Sequence, residues 1–406
     1  MATTTTDLRA EVERDAAAAA RAAAALTDEA VTRALARAAE LVRERRAAIT
    51  EANAADVAAG AHLDPGTLDR LRLDDARIDA LGSQLGQLAE LPPLDRVDET
   101  WTLPNGLLVE ARRIPIGAVG ANFEARPNVA LDVAGQLLKS LNAAVLRTGG
   151  AALGTVTVLV DEVLRPALAD AGLPPEAVAL VRSPEREGAR ILVSLPRVVP
   201  LVILRGSGET TAALAREAAE HGVRTLAHAE GGGVLYLHGA ADPAKAAALV
   251  EASLDRLGVC NRLNLLLVED ESQVPMDLLD RLGIEIREPP RVGWEWANDP
   301  ERVASVTVRV VGSLEEAVEL ANAETSGLAA SIVTEDEDAA RRFLDSYRGT
   351  AAFWNATTRF TDGFALTGAP ETGINVDRVP GPRGPVTYRD LWLRQLRVVG
   401  DGTQRR

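Results

Sequence analysis

Lysine is almost absent from this chain of 406 residues: Lys139 and Lys245 are the only two, and nearly all the positive charge is arginine. That bias reads as the mark of a GC-rich genome more than of a function. Cysteine is scarcer still. Cys260 stands alone, which excludes an intrachain disulfide and fits a reducing, cytoplasmic setting. Four scattered histidines and a single thiol make a poor zinc set, so no metal is expected. Aromatic residues are 3 % of the chain, which leaves the core to alanine, leucine and valine. No apolar run approaches the roughly 18 residues of a membrane span. The opening, MATTTTDLRAEVERD, lacks both a basic start and an apolar stretch, so a secretory signal is not expected. Positive charge is in deficit as well. At a net charge of -15 no basic face can form for nucleic acid, and a phosphate-bearing ligand must be met by a local cationic site.

What is present reads as globular, with 47 % hydrophobic and 25 % charged residues. The length suggests two or three domains with ample core. Residues 7–60 are rich in Ala, Arg and Glu at helical spacing and predict one or two long helices. HLDPGT ends them with turn chemistry, and a further amphipathic helix runs to Pro92–Pro93. From Trp101 the character changes: residues 101–120 predict a hairpin about Pro104-Asn105-Gly106. Strand-like and helix-like segments then alternate, through AAVLRT, AVALVR and VPLVILRG, and again from GGGVLYLHG to AAFWNA. This βαβα order predicts an α/β protein with mostly parallel sheets and helices on both faces. Residues 363–385 are rich in Gly and Pro, a usual place for binding loops, and YRDLWLRQLRVVG closes the chain as an edge strand. No internal repeat is visible.

Four places bring chemistry-bearing residues together. Cys260 lies in LGVCNRLNLLLVED, between a helix and an apolar strand. A loop with free N–H groups would favour its thiolate, and the polar Asn261–Arg262 that follow are poor neighbours for a core thiol. A buried, inert cysteine is the plainer alternative. The strand–glycine–helix junctions VLRTGGAALGT and ILRGSGETT form a pair suited to a dinucleotide, with Arg147, Gly149 and Gly150 in one and Arg205, Gly206 and Ser207 in the other. Neither matches GxGxxG or a Walker A loop, and each alone reads equally as a tight βα turn with a surface arginine. No acid follows Arg147 in the turn, and an arginine there suits the 2′-phosphate of NADPH. Residues 122–147 gather Asn122, Glu124, Arg126, Asn128 and Asn142 in a stretch otherwise fit for burial. Polar groups so placed need partners, which a substrate can supply, although Asn128 could simply cap a helix. WNATTRFTDGF brings Asn355, Thr358 and Arg359 together, a set suited to a phosphate or carboxylate, or else an ordinary solvated loop.

RRIPIGAVG, NFEARPNV, LLKS, NAAVLR, GVCN, SGLAASIVTED, FWNATTRFTDGF and a RGP near Arg383, in that order over nearly the whole chain, resemble the gamma-glutamyl phosphate reductase family, the proline-pathway branch of the aldehyde dehydrogenase superfamily. The resemblance implies an aldehyde dehydrogenase-like fold in three parts. Residues 1–227 would be an NADPH-binding domain carrying the hairpin, 228–362 a catalytic domain with Cys260, and 363–406 a return segment with an oligomerisation strand. It also implies a chemistry. Cys260 would attack an acyl phosphate, and the thioacyl enzyme would be reduced by NADPH to an aldehyde. An oxyanion would be held by the Cys260 N–H and Asn128, and the substrate by Arg126, Asn261, Asn355, Thr358 and Arg359. A homo-oligomer and a functional link to glutamate 5-kinase belong to the same expectation.

Several positions depart from the family pattern. Leu141 stands for the glycine of KSGN, Leu257 for a proline and Asn264 for a glutamate before and after GVCN, and Leu328–Ala329 for a His–Thr pair. LRGSG stands for IPRGG, and GAPETGINV for GAEIGIST. These changes fall in loops expected to line the substrate cavity. They leave open a paralogue acting on another acyl phosphate or acyl derivative, or a homologue that binds without turnover.

Overall fold

Alanine and leucine at helical spacing build the amino-terminal layer. In the computed structural model, which describes residues 5–206, 208–228, 231–257, 259–288, 304–377 and 381–405, this segment divides into Thr5–Ala23, Asp28–Glu44 and Arg46–Ala59. That is one helix more than the periodicity implied. Thr27 starts the second by accepting from Ala30 N at 3.3 Å. HLDPGT, expected to be a turn alone, opens a short helix, Pro65–Leu71. Asp64 accepts from Thr67 N at 2.9 Å, and the missing N–H of a proline costs nothing in a first turn. Asp75–Glu90 follows, capped by Asp74.

The strands fall into four sheets. β1 (Val97–Thr102) and β2 (Leu108–Ile114) are the antiparallel hairpin, with Gly106 at φ 86° in the turn. The hairpin ends at Ile114, short of the expected residue 120. The next strand, β3 (Ala118–Phe123), is buried along its whole length and forms the centre of a parallel sheet. That sheet continues with β4 (Ala143–Thr148), β5 (Val178–Leu180), β6 (Leu201–Arg205) and β7 (Arg224–His228), in the order β5-β4-β3-β6-β7. The second parallel sheet contains β8 (Gly233–Leu237), β9 (Leu263–Val268), β10 (Glu285–Arg287), β11 (Ser305–Val310), β12 (Ala329–Val333) and β13 (Ala351–Trp354), in the order β10-β11-β9-β8-β12-β13. β14 (Gly373–Asn375) and β15 (Gly384–Val386) make a small antiparallel ribbon. β16 (Leu393–Val399) returns to pair with β2, as the edge-strand reading required. The alternation did not mark β7 or β10; β10 has only three residues and β7 directly precedes a glycine run.

Strand order in the first sheet reverses beside β3, which opens a crevice at the carboxyl ends of β3, β4 and β6. Asn142 fixes the opposite end. Wholly buried, it accepts from Ile116 N at 2.7 Å and Gly117 N at 3.0 Å, and donates to Ser140 Oγ at 2.7 Å and Leu391 O at 2.8 Å. One side chain thus ties the approach to β3, the approach to β4 and the segment before β16. Its neighbour Leu141 holds φ 62°, the left-handed region in which a glycine is at ease and another residue costs roughly 1–2 kcal/mol. The Leu141 side chain packs against the main core, which offsets part of that strain.

Asn142→Ala leaves three backbone groups unpaired in the interior. At roughly 1–3 kcal/mol for each such group it should destabilise the fold by about 3 kcal/mol or more. Urea unfolding measures this, and a loss under about 1 kcal/mol would overturn the assignment.

Candidate active site

The cationic site that a net charge of -15 demands is a single cleft of about 810 Å³ where the carboxyl ends of the first sheet face the amino ends of the second. Seven arginines and four carboxylates line it, so the local balance is positive in an acidic chain. Arg126, Arg147, Gly149, Gly150, Arg205, Gly206, Cys260, Asn261 and Arg359 all line this one cleft, although they come from five separate sequence segments. Ser207 lies outside the described residues.

Cys260 sits just before β9 in a loop clamped on two sides. Gly232 N donates to Cys260 O at 2.6 Å, and Gly233 N donates to Arg262 O at 2.7 Å. A Cβ on Gly231 would lie 2.7 Å from the Cys260 Cβ, so the two backbones approach this closely only because residue 231 is glycine. On the other side Asn261 donates to Arg359 O and Thr361 O, each at 3.0 Å, and accepts from the Arg359 guanidinium. Arg359 reaches on to Asp255 Oδ1 at 2.8 Å. Beneath the loop Arg262 is buried, donates to Ser305 O at 3.1 Å, and is pushed down by burial to about 10.

Three expected ligands do other work. Thr358 is buried and donates to Asn261 O at 2.9 Å, bracing the cysteine loop from behind. Asn355 takes φ 52° after β13, accepts from Thr334 N at 3.0 Å and donates to Thr334 O at 2.9 Å, and so turns the chain back toward Cys260. Asn128 opens the helix Asn128–Lys139 and donates to Asp132 Oδ2 at 3.1 Å; it neither caps that helix nor lines the cleft. Asn261 lies in the cleft, but its amide is spent on the Arg359–Thr361 backbone.

The electrostatics also differ from the expected ready thiolate. Cys260 is partly exposed at the cleft, yet protein encloses it, and burial followed by the Glu371 carboxylate pushes its thiol up to about 11. Arg205 and Arg126 pull the other way without prevailing. Glu371, which Gly363 N–H holds in place, is itself raised by burial and then by Asp362. Asp132 is raised from the usual 3.8 to about 6 by burial, against the pull of Arg205. The thiol is therefore protonated at neutral pH in the ligand-free chain.

Sequence reasoning missed Glu371, Gly231, Thr361 and Arg186. Glu371 was signalled only by its place in the Gly/Pro-rich 363–385 segment, and Gly231 by the triple glycine before β8. Thr361 is wholly buried in the cleft lining with its hydroxyl unpartnered. Arg205 Nε is also buried without a partner. With glycines where each turn meets the crevice, these unsatisfied groups fit a polar, phosphate-bearing cofactor laid across the carboxyl ends of β3, β4 and β6. Leu328 and Ala329, where the family pattern has a His–Thr pair, are wholly buried and form with Ile374 a small apolar cluster against which Cys260 packs.

Two parallel sheets facing across a cysteine-bearing cleft, with a hairpin joined by the last strand, are an aldehyde dehydrogenase-like fold. An acetylating aldehyde dehydrogenase from Geobacillus thermoglucosidasius shares it at TM-score 0.72 and 17 % identity, over 99 % of each chain. The aldehyde dehydrogenase family pattern matches residues 303–384. The chain is 35 % identical to the gamma-glutamyl phosphate reductase of Erythrobacter litoralis, over 95 % of each. It is 33 % identical to gamma-glutamyl phosphate reductase 2 of Bacillus licheniformis over the full length of both. The gamma-glutamyl phosphate reductase structure from Thermotoga maritima matches at TM-score 0.90 and 28 % identity, covering 98 % of this chain and all of that one. The chain belongs to the gamma-glutamyl phosphate reductase family.

Two consequences of the electrostatics are measurable. Alkylation of the ligand-free protein by iodoacetamide should be slow at pH 7 and rise toward a midpoint near pH 11; rapid reaction at neutral pH would contradict a protonated resting thiol. Because the Asp132 carboxyl is raised on folding, its contribution is complete below about pH 3.8 and lost as pH climbs through about 6. Asp132→Asn should therefore be more stable than the parent above pH 6, with a shallower fall between pH 4 and 6 in thermal melts. Parallel curves for the two proteins would rule this out.

Proposed function

We propose that the chain catalyses NADPH-dependent reduction of gamma-glutamyl phosphate to glutamate 5-semialdehyde and phosphate through a thioacyl enzyme on Cys260. The observation that carries this is the placement of Cys260, with Arg126 and Arg205 acting on its thiol, in the same cleft as both glycine turns. The nicotinamide cofactor, when bound, supplies hydride. Gly149, Gly150, Arg205 and Gly206 would hold it, and the chain's other groups would do the rest.

An acyl phosphate entering beside Arg126 and Arg359 brings its anionic end to the positive part of the cleft. Cys260 sulfur bonds to the carbonyl carbon, the bond to the phosphate oxygen breaks with its electron pair going to that oxygen, and the thiol proton passes to the departing phosphate. The developing oxyanion faces the Cys260 backbone N–H and the Arg126 guanidinium. Asn128 would join them only by a change of rotamer, since its amide is now turned to Asp132. When the aldehyde forms, the sulfur leaves as thiolate and recovers a proton. The 1–227, 228–362 and 363–406 segments would then be the cofactor, catalytic and return parts. A cytoplasmic setting and a link to glutamate 5-kinase complete the proposal.

A different acyl phosphate is the second reading, and one observation favours it. The Leu328–Ala329–Ile374 cluster presents hydrocarbon to the nucleophile in place of the family's His–Thr pair. Incubation with glutamate 5-semialdehyde, phosphate and NADP⁺ decides between the two. Phosphate-dependent cofactor reduction supports the first, and turnover confined to less polar aldehydes supports the second. In either case Cys260→Ser should lose at least about 1,000-fold in kcat and still bind NADPH; residual turnover near the parent's would eliminate the covalent route.

β16 bears Leu393 and Val399 on one face of the hairpin sheet and Leu396 and Val398 on the other, each about half exposed on the single chain. These side chains suit burial against another subunit. Leu396→Glu should lower the oligomeric mass seen by light scattering, and an unchanged mass would remove this surface from the interface.

A further inference from the structure

The strand-end arginine that reads as a 2′-phosphate ligand is not free to be one. Arg147 is 4 % exposed. Its Nη1 donates to Asn122 Oδ1 at 3.2 Å, and its Nη2 donates to Glu185 O at 2.9 Å and Pro184 O at 3.4 Å. Its Nε is buried without a hydrogen-bond partner and lies 4.0 Å from where a Cβ on Gly188 would stand, on the side of the following helix. The guanidinium is a brace between the centre of the sheet and the loop that follows β5.

What the brace holds is Arg186. This loop carries Pro184 and Arg186 into the cleft lining beside Gly149, Gly150 and Ala151. Pro184 lies 3.1 Å from where a Cβ of Gly150 would stand, so loop and glycine turn form one continuous wall. Arg186 itself is exposed; its carbonyl accepts from Ala189 N at 3.0 Å, and among the described residues no hydrogen bond or ion pair engages its guanidinium. Its like charge acts on Arg147 across this wall. The cleft runs from Cys260, at the second sheet, past β6 and β3 to this wall at β4 and β5. A dinucleotide with its reactive ring at Cys260 would lay its adenosine ribose against the Gly149–Gly150 turn. The turn itself carries no carboxylate; Glu124 stands beside it in the lining, its Cγ 4.0 Å from where a Cβ on Gly149 would be.

We infer that Arg186 is the residue that reads the adenosine 2′-phosphate, and that preference for NADPH over NADH rests on this one exposed guanidinium, aimed by the buried Arg147. The inference rests on the NADPH reading above and assigns its specificity to a residue. The Arg186 side chain makes no structural bond, and the carbonyl that accepts from Ala189 N and Arg190 N is kept on substitution, so Arg186→Ala should fold and melt like the parent.

The test is calorimetric and needs no turnover: titration of parent and Arg186→Ala with 2′,5′-ADP and, separately, with 5′-AMP. The parent should bind 2′,5′-ADP at least about tenfold more tightly, the scale of one charge-assisted pair. Arg186→Ala should bring the two affinities together by weakening 2′,5′-ADP alone, and Arg186→Lys should restore part of the gap. A parent that prefers 2′,5′-ADP and an Arg186→Ala variant that keeps the preference would overturn the assignment while leaving the NADPH reading intact. A parent with no preference would overturn both.

Discussion

The architecture depends on how little chain joins its two large sheets. β7 ends at His228 and β8 begins at Gly233, five peptide steps that reach at most about 18 Å. The carboxyl edge of one parallel sheet must therefore abut the amino edge of the next. The crevice where the first sheet reverses its strand order faces the loops that lead into β8 and β9, and the cysteine lies in one of those loops. A longer connection would have released the second sheet to pack elsewhere, and the cleft would have one wall.

Within that geometry the Cys260 loop is held through its main chain. The Gly231–Gly233 strand approach, the Asn261 amide and the Thr358 hydroxyl each grip the main chain of a neighbouring segment. The Cys260 side chain, the nucleophile proposed above, stands on a peptide that these contacts fix. Preorganisation of this kind costs little, because main-chain groups lose no rotamer freedom when they bond. Arginine serves the same end elsewhere. Arg262 and Arg147 stay in buried positions from which they direct loops, a task that a lysine, with its lower and more easily shifted pKa, performs poorly.

Most of the fold was legible in the chain, because alternating apolar segments and turn residues report local structure directly. AVGANF shows the limit of that reading. Its Val/Phe pattern suits a hairpin as well as a central strand, and only its complete burial decides between them. The site was legible as a set of segments but not as a set of roles. Arg147, Asn355 and Thr358 carry the residue types a ligand site needs, and sequence does not reveal that backbone carbonyls and amides already claim them. Glu371 was invisible for the opposite reason. It lies more than a hundred residues from Cys260, and only the ribbon of β14 and β15 brings its segment back to the cleft.

A thiol kept protonated is also a thiol kept safe. Peroxide and its relatives attack sulfur as the anion, and the first oxidised state, a sulfenic acid, returns to thiol most readily when a second cysteine resolves it. This chain has no second cysteine. Burial and the neighbouring carboxylate, by holding the proton on Cys260, slow the oxidation of a sulfur that has no resolving partner in its own chain.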